Sequence, residues 1–531
     1  MRWLMILPPP ATLSVLLATV VPTPASASFA VVRTFDGLVS EGEFGYACVV
    51  VGDMDGDGIA DFAIGAPGDD AGGDDAGRVF VYRGGHPLDD EPDWVITGAP
   101  GERLGHALAV SNVDADSRPD LVIGAPGSTG TPATLTGRIV VAYGGSPLGA
   151  RALASVPGTT VNGRFGWSVE GIGFSSPDHL RFLVGAPEAG SGAGEVHGLS
   201  VGDPPATRLF VLHGEAAGEK FGYALAYRGH CCGVIGPPAF LVGAPEAAGN
   251  GTSSGRFALY EYNAPNDTLP VHSQTGAAGA RLGQSLTGGH DINSNFFEPT
   301  DDYVIGAPGA DPEDNSDAGS SWVYADMSPF TFDGESAQAE LGSTVRLMTD
   351  VTGSWLPDLA ITESGAVRIY TGPLDPFASP VSTLLAEAPG DGFGHAISNA
   401  GRIDPVYTRA QFLIGAPDHA GSGRVYVFTD PSAPTGIDPS AGPAAVSLAA
   451  PAPNPSRSAF SMAVELPRPT YARLGVFDLA GRTVATLHDG PLGPGRFAFT
   501  WTPSASRAAG LYWGVLEADG VRLVRRMIRV R

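Results

Sequence analysis

Lysine is almost missing from this 531-residue chain: of 31 basic side chains, only Lys220 is a lysine. Any basic catalytic group would therefore have to be arginine, histidine or tyrosine. Cysteine is as scarce, and Cys48, Cys231 and Cys232 are too few for a disulfide framework. Cys48 lies in an apolar run and reads as a small buried hydrophobe. Cys231 and Cys232 are adjacent, which leaves a strained vicinal disulfide open in an oxidising compartment. Past the N-terminus, no segment approaches the ~20 apolar residues that a membrane-spanning helix needs. There is no H-E-x-x-H and no phosphate-binding glycine loop. Gly251-Thr252-Ser253-Ser254-Gly255 matches G-x-S-x-G, but in a hairpin loop instead of a strand-to-helix elbow. The eleven histidines are scattered; His106 and His395 each follow a repeat's glycine and read as packing or capping groups. Positive charge is short too, 31 basic against 56 acidic residues, a net of −25. Residues 1–430 carry a net −30 and residues 431–531 a net +5. So acidic a body argues against nucleic acid and anionic lipid, which demand basic patches, and favours cations.

Glycine (74) and proline (46) are abundant, as in proteins of many short strands and tight turns. Residues 1–27 read as a secretory signal, with Arg2, an apolar stretch over 11–21 and the cleavage site Ala25-Ser26-Ala27. The mature chain is expected to begin at Ser28 and to be exported.

Seven Phe-Gly or Leu-Gly pairs recur, beginning at Phe44, Leu104, Phe165, Phe221, Leu282, Leu341 and Phe393, spaced 52–61 residues apart. About twenty residues after each pair comes Gly-Ala-Pro, starting at Gly65, Gly124, Gly185, Gly243, Gly306 and Gly415. In the sixth repeat Thr362-Glu363-Ser364 stands in its place. Self-similarity at a fixed period marks a repeat architecture.

Between pair and tripeptide, repeat one places Asp53, Asp55, Asp57 and Asp61 at loop positions 1, 3, 5 and 9, with the Ile59 carbonyl at position 7. Calcium takes six to eight oxygens, and alternation by two aims successive side chains into one cavity. Four carboxylates this close repel unless a cation lies among them. No glutamate stands at position 12 and apolar strand-like runs flank the loop, so it reads as a hairpin calcium loop. Repeat two offers Asn112, Asp114, Asp116, the Arg118 carbonyl and Asp120 in the same register, with Ser117 replacing the turn glycine. Two weaker sites are expected. One is Asp350, Thr352, Ser354 and Asp358 in repeat six; the other is Asp291, Asn293 and Asn295 in repeat five, where Asp302 arrives three residues late. Repeats three, four and seven lack the ligands; repeat seven has Ile403 and Gln411 at the end positions.

Each repeat reads as four short strands, in the first roughly 47–51, 62–64, 78–82 and 94–97. A four-stranded sheet repeated radially is a propeller blade. The last repeat supplies three strands before Pro431, and residues 29–35 precede the first pair, so that segment is expected to complete the last blade. The fold class is thus all-β: a seven-bladed β-propeller over 28–430. Phe-Gly, then D-x-D-x-D-G-x-x-D, then Gly-Ala-Pro resembles the FG-GAP repeat of integrin α-subunit propellers and their bacterial relatives. The resemblance implies calcium loops on the lower face and ligands on the opposite face, built from the 2–3 and 4–1 loops. Two of those 2–3 loops are acidic: 68–77, with Asp69, Asp70, Asp74 and Asp75, and 309–319, with Asp311, Glu313, Asp314 and Asp317. They are either a cation-bridged binding rim or solvated loop tips. No inserted von Willebrand-type domain accompanies the repeats, so integrin ligand specificity does not carry over.

Residues 431–455 read as a Pro- and Ala-rich linker, and 456–531 as six short strands forming a small β-sandwich. Ala452-Pro453-Asn454-Pro455, Val476-Phe477-Asp478, Ala509-Gly510-Leu511-Tyr512 and the arginine-rich end resemble Ig-like C-terminal modules of bacterial secreted proteins, including type IX sorting tails and flagellar hook-cap modules. That implies the secretion machinery as a partner, or an edge strand kept soluble by arginine.

The expected function is a secreted or surface-held bacterial adhesion module, stabilised by calcium, for an extracellular protein or glycan, and not an enzyme. Alternatives are a structural envelope protein and a calcium-assisted polysaccharide lyase or hydrolase. The central face discriminates: clustered Arg, His, Tyr or Lys favours lyase chemistry, an acidic or apolar rim favours binding.

Overall fold

The structure, a computed structural model, describes residues 29–430 apart from 115, 117, 128–135, 173–179, 201–206, 231–236, 263–269, 293–301, 313–314, 326–328 and 355, and most of 446–530. The expected signal, most of the linker, Ser117, Cys231, Cys232, Asn293, Asn295 and, in the acidic loop at 309–319, Glu313 and Asp314 lie outside the described residues.

Blade one is an antiparallel sheet of Ala47–Gly52, Asp61–Ala66, Arg78–Tyr82 and Trp94–Thr97, in chain order from the hub outward. Its second strand is buried at every position, while the outermost alternates between buried and exposed. A strand packed on both faces reads as a continuous apolar run, which is why Phe62, Ala63 and Ile64 follow one another without a polar break. Five more sheets repeat this order. The seventh takes Ala396–Ile397, Phe412–Ala416 and Arg424–Thr429 from the end of the propeller and Ala30–Asp36 from its start. Phe35 pairs with Val425 and Asp36 with Arg424, so the expected strand exchange closes the ring. Asn399 adds a second clasp, accepting from the Val50 N–H and donating to the Val50 carbonyl, both at 3.1 Å.

The Phe-Gly and Gly-Ala-Pro signatures are two halves of one contact. In every blade the N–H of the first glycine donates to the carbonyl of the residue that starts the tripeptide, as from Gly45 to Gly65 at 3.0 Å. The tripeptide glycine in turn lies against the next blade: a Cβ on Gly65 would fall 2.1 Å from the Gly105 carbonyl oxygen. Blade six shows the exception. There Thr362 replaces the glycine, and its hydroxyl donates to the Gly394 carbonyl at 2.9 Å, turning a steric contact into a hydrogen bond. Apolar clusters lie between blades, joining Val49, Val79 and Val81 to Leu121, Ile123 and Val140, and Phe35 and Phe62 to Leu413 and Val427.

The C-terminal unit has two sheets, Ser447–Leu448 with Phe460–Leu466 and Gly495–Trp501, and Thr483–Leu492 with Thr470–Phe477, Gly510–Ala518 and Val521–Arg529. Phe460, Met462 and Val464 of the first share one core with Leu474, Val476 and Leu516 of the second. Ser447–Leu448 falls inside the stretch read as a linker. Among the described residues, no helix is long and apolar enough to cross a membrane.

Candidate metal loops and the central face

In loop one, Asp53, Asp55 and Asp61 bring carboxylate oxygens within 4.8 Å of one another, and among the described residues this is the acidic group so gathered. Asp61 is fully buried and held from inside, its two oxygens accepting the N–H groups of Met54 at 2.8 Å and Gly84 at 3.0 Å. Asp53 accepts from Gly56 at 2.6 Å and Gly58 at 2.9 Å, and both glycines take positive φ, near 90°, where a Cβ would be strained. Burial pushes the Asp61 carboxyl up to about 6, the two N–H bonds pull it back, and the Asp55 and Asp57 charges raise it further. Asp57 turns outward and accepts the Ile59 N–H at 2.8 Å, so it stands outside the cluster. The donor set is all oxygen, the chemistry that a hard divalent cation takes.

Loop two departs from its expected form. Asp114 is drawn to Arg151 in an ion pair, and Asp116 accepts the Arg118 N–H at 2.6 Å. The Arg118 side chain crosses to loop one, where a Cβ on Gly56 would meet its guanidinium at 2.8 Å. Asn112 donates to the Asp116 carbonyl, and among the described residues its buried Oδ1 has no hydrogen-bond partner, an oxygen that suits a cation. Loop six is satisfied internally: Asp350 accepts from Gly353 and Ser354, the Thr352 hydroxyl donates to Asp358 at 3.0 Å, and Ser354 donates to the Leu356 carbonyl.

The last acid of each loop has a role that the metal spacing did not reveal. Asp120 accepts from Val113 at 2.6 Å and Gly144 at 2.8 Å, and Asp358 from Val351 at 2.7 Å, repeating the Asp61 latch. Asp302, which sequence alone made three residues late, accepts from Ile292 at 2.9 Å. The latch is in place although the stretch before it is three residues longer in sequence. In blade seven Gln411 fills the position, accepting the Asp404 N–H at 2.9 Å, so an uncharged oxygen serves too. The signal was present: each latching acid is the first residue of its strand, four positions before the repeat's glycine or its replacement.

The acidic loop at 68–77 is largely tied up. Asp69 is buried, accepts from Ala71 at 2.9 Å and pairs with Arg78 at 2.5 Å. Asp70 accepts from Asp75 at 2.8 Å, and Asp75 pairs with Arg103 at 2.9 Å.

At the hub, the residues after five of the seven Phe/Leu-Gly pairs face one another across the blades. Rings of His395 and Tyr46 lie 4.3 Å apart, Tyr46 and His106 4.8 Å, His106 and Trp167 4.4 Å, and Trp167 and Tyr223 5.5 Å. Burial lowers the His106 pKa to about 3, and the nearby Arg103 and Arg164 charges lower it further against its bond to Trp167. The ring is therefore neutral, and its bonds define the tautomer. Nδ1–H donates to the Trp167 carbonyl at 3.0 Å, so Nε2 accepts the Tyr46 hydroxyl at 3.2 Å. Just before the pairs, Arg103, Arg164, Lys220 and Arg281 put a basic residue on four consecutive blades, all at positive φ between 53° and 61°. The central face thus clusters Arg, His and Tyr, the mark set above for chemistry.

His197, fully buried on blade three, is likewise pushed down to about 4 by burial and by Arg208. Both histidines titrate near 6.5 when unfolded, so between pH 6.5 and about 4 the unfolded chain binds more protons. The contribution of these two histidines to stability is expected to be complete above 6.5 and to fall as pH drops through that window, opposed there by Asp61, Asp120 and Asp358, whose raised pKa values make the folded state take up protons first. Thermal unfolding at pH 7 and pH 5 checks it, and His197→Gln should flatten the slope.

Comparison with known proteins bears on both regions. Residues 44–82 and 104–141 match the FG-GAP repeat. The human phosphatidylinositol-glycan-specific phospholipase D is 27% identical over 417 residues, covering 71% of this chain and 44% of the enzyme. The Drosophila melanogaster integrin alpha-PS2 is 35% identical over 202 residues, 34% of this chain and 14% of that protein. Human integrin alpha-8 is 38% identical over 112 residues, 20% of this chain and 10% of the integrin. The chain spans less than half the length of these curated relatives. The phospholipase D similarity overturns the expectation that the chain is not an enzyme: the same stretch of sequence resembles part of a hydrolase. The matched repeats and the integrin α relatives support a propeller of the FG-GAP type.

Proposed function

We propose that the chain is an extracellular propeller that binds a protein or glycan partner on its central face and is stiffened by calcium at loop one. The observation that carries this reading is the convergence of Asp53, Asp55 and Asp61 beside an otherwise apolar blade. Loop two, with the buried Oδ1 of Asn112, is a second and weaker position for calcium. Integrin α subunits and a phospholipase D whose name specifies a phosphatidylinositol-glycan are both compatible with a surface or extracellular setting. The C-terminal unit, with Arg522, Arg525, Arg526 and Arg529 on its last strand, is the part offered to a secretion machinery. The test is capture of the labelled chain from Ser28 onward on an array of glycans and matrix proteins, in calcium and in chelator. A calcium-dependent hit supports the reading, and no hit from correctly folded protein rejects it.

A second reading has its own support. The clustered Arg, His and Tyr at the hub, with the phospholipase D similarity, favour hydrolysis or elimination on a glycan-bearing substrate. Release of a glycan-anchored reporter, and the ultraviolet absorbance of unsaturated uronates from an acidic polysaccharide, measure the two reactions directly.

A further inference from the structure

The hub combines an aromatic platform with a cation that has no acid beside it among the described residues. Trp167, Tyr46 and Tyr223 are half-buried, so each packs one part against the propeller and leaves another open. Of the four basic residues before the Phe/Leu-Gly pairs, three have carboxylate partners: Arg103 with Glu43 at 2.5 Å, Lys220 with Glu188 at 2.5 Å and Arg281 with Glu340 at 3.6 Å. Arg164 is exposed, has no carboxylate partner among the described residues, and lies 5.4 Å from the Trp167 ring centre. In a chain where acids outnumber bases 56 to 31, a central cation without one is a position for an acid from outside. Its left-handed backbone sharpens the point. The seventh blade puts Gly392 in the same place, so glycine fits the turn, yet a long charged side chain is held there against local strain.

A second cation is a poor occupant, because Arg164 already faces Trp167 while Arg103 and Arg281 stand close by. On the other side of the hub, exposed His395 and Asp418 offer polar groups that suit hydroxyls. We infer that the hub binds a sugar bearing an anionic group: its ring stacked on Trp167 and Tyr46, its acid on Arg164, its hydroxyls toward His395 and Asp418. A uronate and a hexose phosphate share this chemistry. The inference rests on the central face being the binding face, and it names the ligand class.

The test is calorimetric titration of the folded chain from Ser28 onward with a glucuronate-containing oligosaccharide, a hexose phosphate and an uncharged glucose oligosaccharide. At least one anionic sugar should bind tenfold or more tightly than the uncharged one, and the two anionic arms show which acid is preferred. Arg164→Gln should remove that advantage, by 10- to 100-fold, while sparing the weak neutral binding. Trp167→Ala should weaken all three, and Trp167→Tyr, which keeps the platform, should restore most of the loss with an unchanged melting temperature. Equal affinity for charged and neutral sugars, or full anionic affinity in folded Arg164→Gln, overturns the inference. Array capture of a protein ligand without sugar binding would overturn it too, while leaving the wider binding role intact.

Discussion

Deleting residues 29–36 is expected to open the ring and leave a protein that aggregates or melts at least 10 °C below the full chain. That segment supplies the outer strand of blade seven, paired with Arg424–Thr429. Without it the run Arg-Val-Tyr-Val-Phe-Thr presents an unpaired apolar edge, a template for intermolecular pairing. Two further contacts go with it: Phe35, 3% exposed, packs against Phe62 and Tyr82 of blade one, and Asp36 pairs with Arg424 at 2.6 Å. Phe35→Ala separates packing from pairing. It leaves the backbone ladder in place and should cost roughly 3–5 kcal/mol, the usual range for removing a buried phenyl ring. Urea unfolding of the two variants reads the difference. If the deletion variant unfolds as cooperatively as the parent and at the same midpoint, the strand exchange is not what holds the ring shut.

Asp61→Ala should destabilise the propeller in calcium and in chelator alike, whereas Asp53→Ala should lower stability only in calcium. The contrast follows from where the two carboxylates spend their oxygens. Asp61 accepts two backbone N–H groups, of Met54 and Gly84, and removing it strands both at roughly 1–3 kcal/mol each. Relief of its own burial, visible in the raised pKa, offsets part of that loss. Asp53 sits on the outer side of the loop, and its bonds to Gly56 and Gly58 are exposed, so little is lost without the ion. If calcium stands at about 100 times the dissociation constant, it adds roughly 2.7 kcal/mol to the parent, and Asp53→Ala should forfeit most of it. Melting curves of both variants with calcium and with chelator decide the matter. A calcium response in Asp53→Ala equal to the parent's would remove loop one as the metal site.

The same pair of residues shows how far the sequence could be read. Alternation of Asp53, Asp55, Asp57 and Asp61 announced a loop built for oxygen ligation, and the structure gathers three of the four. Asp57 escaped because its side chain finds the Ile59 N–H two residues on, a local bond that spacing cannot weigh against a shared cavity. Loop two looked nearly as good on paper, yet Arg151, 37 residues away in sequence, claims Asp114. The latch was misread for the opposite reason. Asp302 seemed out of register because residues were counted from the start of the loop, whereas the fold measures from the strand that follows.

What the sequence determined by itself is whatever recurs. Seven Phe/Leu-Gly pairs, six with a glycine partner and one with Thr362, set the blade count, and the missing seventh outer strand required the N-terminal segment. These are backbone requirements repeated in each blade: one glycine whose N–H meets the carbonyl that starts the tripeptide, and a second whose missing Cβ admits the next blade. The tertiary structure alone decided what each repeat contributes once. Tyr46, His106, Trp167, Tyr223 and His395 share one register position, just after the Phe/Leu-Gly pair, but they differ in chemistry, and the repeat alone does not show that their rings meet. They meet because the ring carries equivalent positions to one axis, and Arg164 stands over Trp167 while, among the described residues, Arg103, Lys220 and Arg281 have acids and Arg164 has none.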